Sequence, residues 1–245
     1  MDRSYLSDKA VVEASRDFVC VRLITFENSE EARLMDRLMR GRGLVNTAFT
    51  ILDPTGSTPL IAPARSPRWA YDDGADMAAG MRRIHERYPG NKKVDAEDLG
   101  MPLLEDVRIA LNVTECDAQQ LVIVRGDDKK TRRLLSDLQQ LCWSDDVIGR
   151  FLYVKADAET DWKAIAGSEQ APADGLLVVR TDTYGLTGKV VASAPAKSRK
   201  QDLHKLLLDA AAGFEPKTVD TRRLRREGKR KGLEWRTEVP VPRKR

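Results

Sequence analysis

Cysteine, histidine and long apolar runs are all scarce in this chain, and each shortage removes a class of function. Three cysteines, Cys20, Cys116 and Cys142, stand far apart among 245 residues. They cannot supply a disulfide framework, and no two are spaced as Cys-x-x-Cys or as a zinc-ligand pair. The two histidines, His85 and His204, fall on separate predicted helices, so neither a metal site nor a cofactor is expected. No run approaches the roughly 18–20 apolar residues that cross a bilayer. The N-terminal MDRSYLSDKAVVEA lacks the apolar stretch of a signal peptide. As written, the sequence predicts a cytoplasmic chain with no membrane association; export requires a segment upstream of Met1. In that compartment the sequon Asn112-Val113-Thr114 carries no weight.

What is present is charge. Hydrophobic residues make up 41% and charged residues 33%, the balance of a charge-rich globular protein with enough chain for one large domain or two smaller ones. The net charge of +4 hides an asymmetry. Residues 217–245 hold 12 Lys and Arg against 4 Asp and Glu, which leaves 30 basic and 34 acidic residues in 1–216. The body is mildly acidic and the basic character belongs to the tail.

Periodicity divides the body in two. Residues 1–89 read as a helical start over Asp8–Arg16, an apolar strand Phe18–Thr25, and a helix from Ser29 to about Arg40. The strand is apolar on both faces, as in a central strand covered by helices. Ser29 is the expected N-cap, with Glu30 and Glu31 in the first turn. Leu34, Met35, Leu38 and Met39 form one stripe. A strand Thr47–Leu52, the turn Asp53-Pro54-Thr55-Gly56, an edge segment Ser57–Ile61, a loop Ala62–Trp69 and a helix from Asp73 or Gly74 to Tyr88 follow. The polar segment 90–102 is read as a linker. Residues 103–214 begin with a helix Leu103–Leu111. They continue as strand Leu121–Arg125, helix Lys129–Trp143, strand Phe151–Lys155, helix Ala158–Ala166, strand Leu176–Arg180, strand Lys189–Ala194 and helix Ser198–Gly213. In the basic tail, 215–245, Arg222–Lys231 has the composition of a basic helix, and Pro240 and Pro242 oppose one further on. The expectation is an extended tail, partly docked through Trp235.

The residues with chemical potential all have plain structural readings. Cys20, mid-strand among apolar neighbours, is expected to be a core residue, as is Cys142 late in a helix beside Trp143. Cys116, within Thr114-Glu115-Cys116-Asp117, is the thiol expected at the surface, where neighbouring acids disfavour a thiolate. Gly41 and Gly43 follow a helix and read as its C-cap, not as a phosphate loop. Asp127, Asp128, Asp145 and Asp146 read as capping and solvated loop carboxylates, and Met35, Met39, Met77 and Met81 as core. The run from Thr221 to Lys231 can contact phosphates non-specifically, although a solvated or self-docked tail is the first reading.

Leu6-Ser7-Asp8, Val11-Val12, Phe18-Val19 and Val21, followed by Asp53-Pro54-Thr55-Gly56, resemble the inner part of bacterial thioredoxin-like proteins. Cys20-Val21-Arg22-Leu23, Phe26-Glu27-Asn28 and Arg40-Gly41-Arg42-Gly43 are similar to a planctomycete-type group with two such domains. The β-α-β-α-β-β-α order of the second unit is that of a complete thioredoxin-like domain. The resemblance implies two tandem α/β domains, each a central mixed sheet flanked by helices, the first lacking its initial strand.

It also implies a Cys-x-x-Cys motif and a cis-proline, and here the chain departs from the family. Thr47 stands where the first unit's proline would be, and the first unit's Cys pair would lie upstream of Met1. In the second unit Gly126-Asp127-Asp128-Lys129-Lys130 fills the motif position, and Pro172 lies in the cis-proline region. The sequence therefore points to a redox-inactive, non-catalytic binding or scaffold module with no catalytic, cofactor-binding or metal residues. Its expected partner is a protein, a second copy included. One alternative is a thiol-disulfide oxidoreductase whose Cys-x-x-Cys lies upstream. The other is a polyanion-binding protein, nucleic acid among its ligands, that acts through the tail.

Overall fold

A computed structural model describes residues 5–45, 47–90, 99–216 and 220–239. Its contacts divide the chain into two units, Met1–Lys93 with Arg236–Arg245, and Val94–Trp235. Most of the polar segment read as a linker, and Pro240 and Pro242, lie outside the described residues.

The first unit is built on three helices, α1 (Lys9–Ser15), α2 (Ser29–Leu38) and α3 (Gly74–Arg87). Each starts at an acidic or amide cap that takes up free N–H groups: Asp8 accepts from Ala10 N, Asn28 from Glu30 N and Glu31 N, and Asp73 from Asp76 N. Asn28 thus holds the cap position expected of Ser29. α1 and α3 pack closely enough that a Cβ on Gly74 would lie 2.6 Å from the Asp8 carboxyl carbon. Val11, Ala14, Ile51, Tyr71, Met77, Ala78 and Met81 form the core, and the Tyr5 hydroxyl ties in by donating to the carbonyls of Tyr71 and Asp72, both at 3.0 Å.

The strand expected over Phe18–Thr25 is not formed. Val19 is 76% and Val21 73% exposed, and Cys20 is exposed as well. An apolar alternation becomes a strand only when a neighbour supplies ladder hydrogen bonds, and no described segment pairs with this one. Thr47–Leu52 is likewise reduced to two isolated antiparallel bridges, Phe49 to Ala64 and Leu52 to Pro59. Between them the expected turn is tight. Asp53 accepts from Thr55 Oγ1 at 2.8 Å and from the N–H groups of Ser57 and Thr58 at 3.1 Å.

The second unit is α/β, a mixed six-stranded sheet flanked by helices. In chain order it comprises β1 (Leu103–Leu104), α4 (Val107–Asp117), β2 (Gln120–Arg125), α5 (Asp128–Cys142), β3 (Phe151–Lys155), β4 (Ile165–Ala166), β5 (Gly175–Thr181), β6 (Gly188–Pro195), α6 (Lys200–Ala212) and α7 (Thr221–Arg230). The strands lie in the order β1-β3-β2-β5-β6-β4. β1, β3 and β2 are mutually parallel, β5 runs antiparallel to both β2 and β6, and β4 adds parallel to β6.

Alternation along β2 explains why both faces are covered. Val122 and Val124 meet Leu134 and Leu138 of α5 and Leu203 and Leu207 of α6. Leu121 and Ile123 meet Val107, Ala110 and Leu111 of α4. All four β2 side chains are fully buried, as strands sandwiched between helical layers are.

Two elements differ from the sequence expectation. Leu103 and Leu104 pair with β3 instead of opening a helix, and α4 starts later because Asp106 caps it, accepting from Ile109 N at 2.7 Å. The helix expected over Ala158–Ala166 is replaced by a single 3-10 turn, Trp162–Ala164, followed by β4. Here Asp157 accepts from Glu159 N and Asp161 from Lys163 N, both at 3.0 Å, and such local bonds compete with a helix.

Candidate functional site

The parallel strands β1, β3 and β2 all end on one edge of the sheet, where open α/β sheets offer a crevice for ligands. In this protein that edge holds a cleft of about 690 Å³. Leu104, Ala156 and Trp162 give it apolar walls, and Glu105, Asp128 and Lys155 supply charge. The Lys155 ammonium donates to the Asp128 carboxylate and is its main reason for sitting below the ordinary Asp range.

Beside the cleft, the segment Gly126–Lys130 turns from β2 into α5. Asp127 is the N-cap, accepting from Lys129 N at 2.9 Å. Gly126 has φ +124°, and a Cβ there would come within 2.9 Å of the Asp174 Cα, so glycine is required for the close approach of the chain that leads into β5. Asp174 accepts from Lys130 Nζ at 2.8 Å and from Asp127 N at 3.3 Å. These bonds, that from Lys130 first, hold the Asp174 carboxyl below its usual range. The structure thus brings together the two segments singled out in the sequence, Gly126–Lys130 and the stretch around Pro172.

Arg125 locks the wall of this site. Its guanidinium donates to the carbonyl oxygens of Ser168 (3.0 Å), Ala171 (2.7 Å) and Pro172 (2.5 and 3.1 Å) and lies 4.7 Å from the centre of the Trp162 ring. Sequence reading passed over this residue. A lone arginine at the end of a strand carries no local signal, and its acceptors lie more than 40 positions away.

The thiols do not converge on the site. Cys142 is buried at the end of α5, and burial pushes its thiol up to about 12. Cys116 is exposed in the last turn of α4. Cys20 corrects the sequence expectation of a core residue: its side chain is exposed, because the strand that would have buried it is not formed. Protein atoms around its sulfur still push the thiol upward, more than the contact with Ser15 lowers it.

Gly41 and Gly43 end α2 with φ of +69° and +78°. Gly41 N donates to Asp36 O at 2.9 Å, and Gly43 N to Asp36 Oδ1 at 3.1 Å. Asp146 accepts from Ser144 Oγ and lies 2.8 Å from His204 Nε2, which ties the loop after α5 to α6. Met35, Met39, Met77 and Met81 are buried. No group of three potential ligands suited to a metal ion occurs among the described residues, and no described helix is long and apolar enough to cross a membrane.

Set against protein-family models, curated proteins and solved structures, the chain finds no match. The functional reading therefore rests on the geometry of the site and on the chemistry of its side chains.

Proposed function

We propose that the second unit is a thioredoxin-like domain whose redox position is occupied by Gly126-Asp127-Asp128-Lys129-Lys130, and that the protein is a non-catalytic binding module. The element order supports this reading. A β1-α4-β2-α5-β3 succession of parallel strands is followed, without the helix expected over Ala158–Ala166, by β4, the antiparallel pair β5–β6 and a closing helix, α6. The proposal is confined to the second unit, because among the described residues of the first no strand forms over Phe18–Thr25 and Thr47–Leu52 makes only isolated bridges.

The observation that carries the functional half is the chemistry at the start of α5. A dithiol enzyme needs a thiolate there, stabilised by the helix N-terminus, and a resolving thiol about one turn on. This chain has a capping carboxylate at Asp127 and an ion-paired ammonium at Lys130, and Cys142 is buried at the opposite end of the same helix. The cleft next to this turn, with its mixed apolar and charged walls, is the binding surface this reading offers. The test is insulin reduction by the 245-residue chain with dithiothreitol as reductant. The expected rate is that of dithiothreitol alone; a chain-dependent acceleration would overturn the non-catalytic reading.

A further inference from the structure

We propose that the exposed face of α7 is a binding surface for the phosphate backbone of nucleic acid. The inference stands independently of the thioredoxin-like reading. α7 has the sequence TRRLRREGKR and is capped by Asp220, which accepts from the N–H groups of Arg222 and Arg223 at 2.9 and 3.2 Å.

The helix is sorted sharply into two faces. Leu224, Glu227, Gly228 and Lys231 lie on one side. Trp235 packs against Gly228 so closely that a Cβ would come within 2.5 Å of the indole ring. The Trp235 indole N–H donates to Tyr184 O at 2.9 Å, and Lys231 Nζ lies 5.0 Å from the centre of the Tyr184 ring. Arg222, Arg223, Arg225, Arg226, Lys229 and Arg230 are all exposed on the other side. At 3.6 residues and 5.4 Å per turn these six cations cover an arc of about 160° over roughly 12 Å of helix. Among the described residues only Arg223 of the six has an ion-pair partner, Glu227 at 3.7 Å.

Three features select the partner. So dense a cluster of one sign repels itself and is relieved best by a polymer of equal and opposite density; a duplex offers one phosphate charge per about 1.7 Å of axis. Five of the six cations are arginines, whose planar fork matches phosphate oxygens. A membrane surface fits poorly, because an interfacial helix must insert an apolar face, and the single apolar side chain of α7, Leu224, lies on the Trp235 side. The exposed face offers positive charge and no other recognition chemistry, so the expected contacts are to phosphate, the sequence-independent part of nucleic-acid binding.

The experiment is fluorescence anisotropy of labelled duplex DNA and of labelled single-stranded RNA, each of mixed sequence, titrated with the full chain across a salt series. The expected result is binding whose logarithm falls linearly with the logarithm of salt concentration. The combined variant Arg222→Gln, Arg225→Gln, Arg226→Gln, Lys229→Gln should weaken binding at least about tenfold at low salt. It should also flatten the slope by about 0.9 per lost duplex contact. A control with the same charge change, Arg132→Gln, Lys163→Gln, Lys189→Gln, Lys197→Gln, should stay within about twofold. The triple variant Arg222→Lys, Arg225→Lys, Arg226→Lys keeps the charge and should retain most of the binding to either nucleic acid, which separates a charge effect from a folding defect. Equal losses in the control and the face variant would overturn the proposal. So would capture by phosphatidylserine vesicles or heparin with no binding of either nucleic acid.

Discussion

Replacing Arg125 with methionine should loosen the wall of the cleft. The native side chain donates to three backbone carbonyls, Ser168, Ala171 and Pro172, and covers Trp162. A hydrogen bond from a charged donor contributes about 1.5–3 kcal/mol when its acceptor cannot find water. Arg125 is only partly buried, so the freed carbonyls recover part of that from solvent, and about 1 kcal/mol each is the better figure, or about 3 kcal/mol for the three acceptors. Methionine preserves the apolar stem, so the packing loss is small, while the cation over Trp162 contributes a further ~0.5–1 kcal/mol. Urea unfolding followed by tryptophan fluorescence measures the sum as a shift in midpoint at constant slope. Arg125→Lys should recover only a minor fraction, because an ammonium cannot reach the separated acceptors as a planar fork does. A midpoint that moves by less than the equivalent of ~0.5 kcal/mol for Arg125→Met would refute the locking role.

Other consequences follow from the same geometry. The Tyr153 hydroxyl is buried with no hydrogen-bond partner among the described residues, and burial pushes its pKa upward, so Tyr153→Phe should raise stability by about 1 kcal/mol in urea melts; a clear loss would contradict this. Iodoacetamide at mild alkaline pH should label two thiols in the folded chain, Cys20 and Cys116, and reach buried Cys142 only after denaturation, with mass spectrometry reporting the sites. Asp53, Asp128, Asp146 and Asp174 all titrate below the ordinary Asp value, because Thr58 N–H, Lys155, Ser144 and Lys130 respectively are their leading hydrogen-bond donors. A carboxyl depressed on folding stabilises above its unfolded pKa. That stability disappears as pH falls from about 4 through the lower folded value, so the melting temperature should be flat near neutrality and drop below about pH 4. Asp174→Asn should shallow that acid limb; an unchanged limb would remove Asp174 from the argument.

The second unit was far more legible than the first, for a physical reason. Its β2 and β5 are continuous apolar runs bounded by Gly126 and Gly175, and burial on both faces is enforced by helices whose stripes, such as Leu134 and Leu138, are equally plain. In the first unit Phe18–Thr25 has an equally apolar pattern, yet the pattern fixes only what a strand would bury and not whether a neighbour exists to pair with it. Cys20 was misplaced for the same reason. The helix expected over Ala158–Ala166 is not formed, because Asp157 and Asp161 bind nearby N–H groups locally. At the site, the N-cap of α5 was readable from Asp127 and Asp128. The contact of Asp174 with Gly126 and Lys130, and the grip of Arg125 on the chain before β5, join residues more than 40 positions apart and leave no local trace.

The central claim, that the start of α5 is a thioredoxin-like redox position without its thiols, is tested most directly by giving them back. Insulin reduction should be followed for the wild-type chain and for Asp127→Cys/Lys130→Cys in parallel. The replaced residues occupy the cap and the first turn of the helix, where its N-terminus favours a thiolate. The account predicts that the wild type stays at the dithiothreitol background and that the double variant rises above it. Reductase activity in the wild type, or a double variant that forms its disulfide and yet reduces insulin no faster than the background, would contradict it.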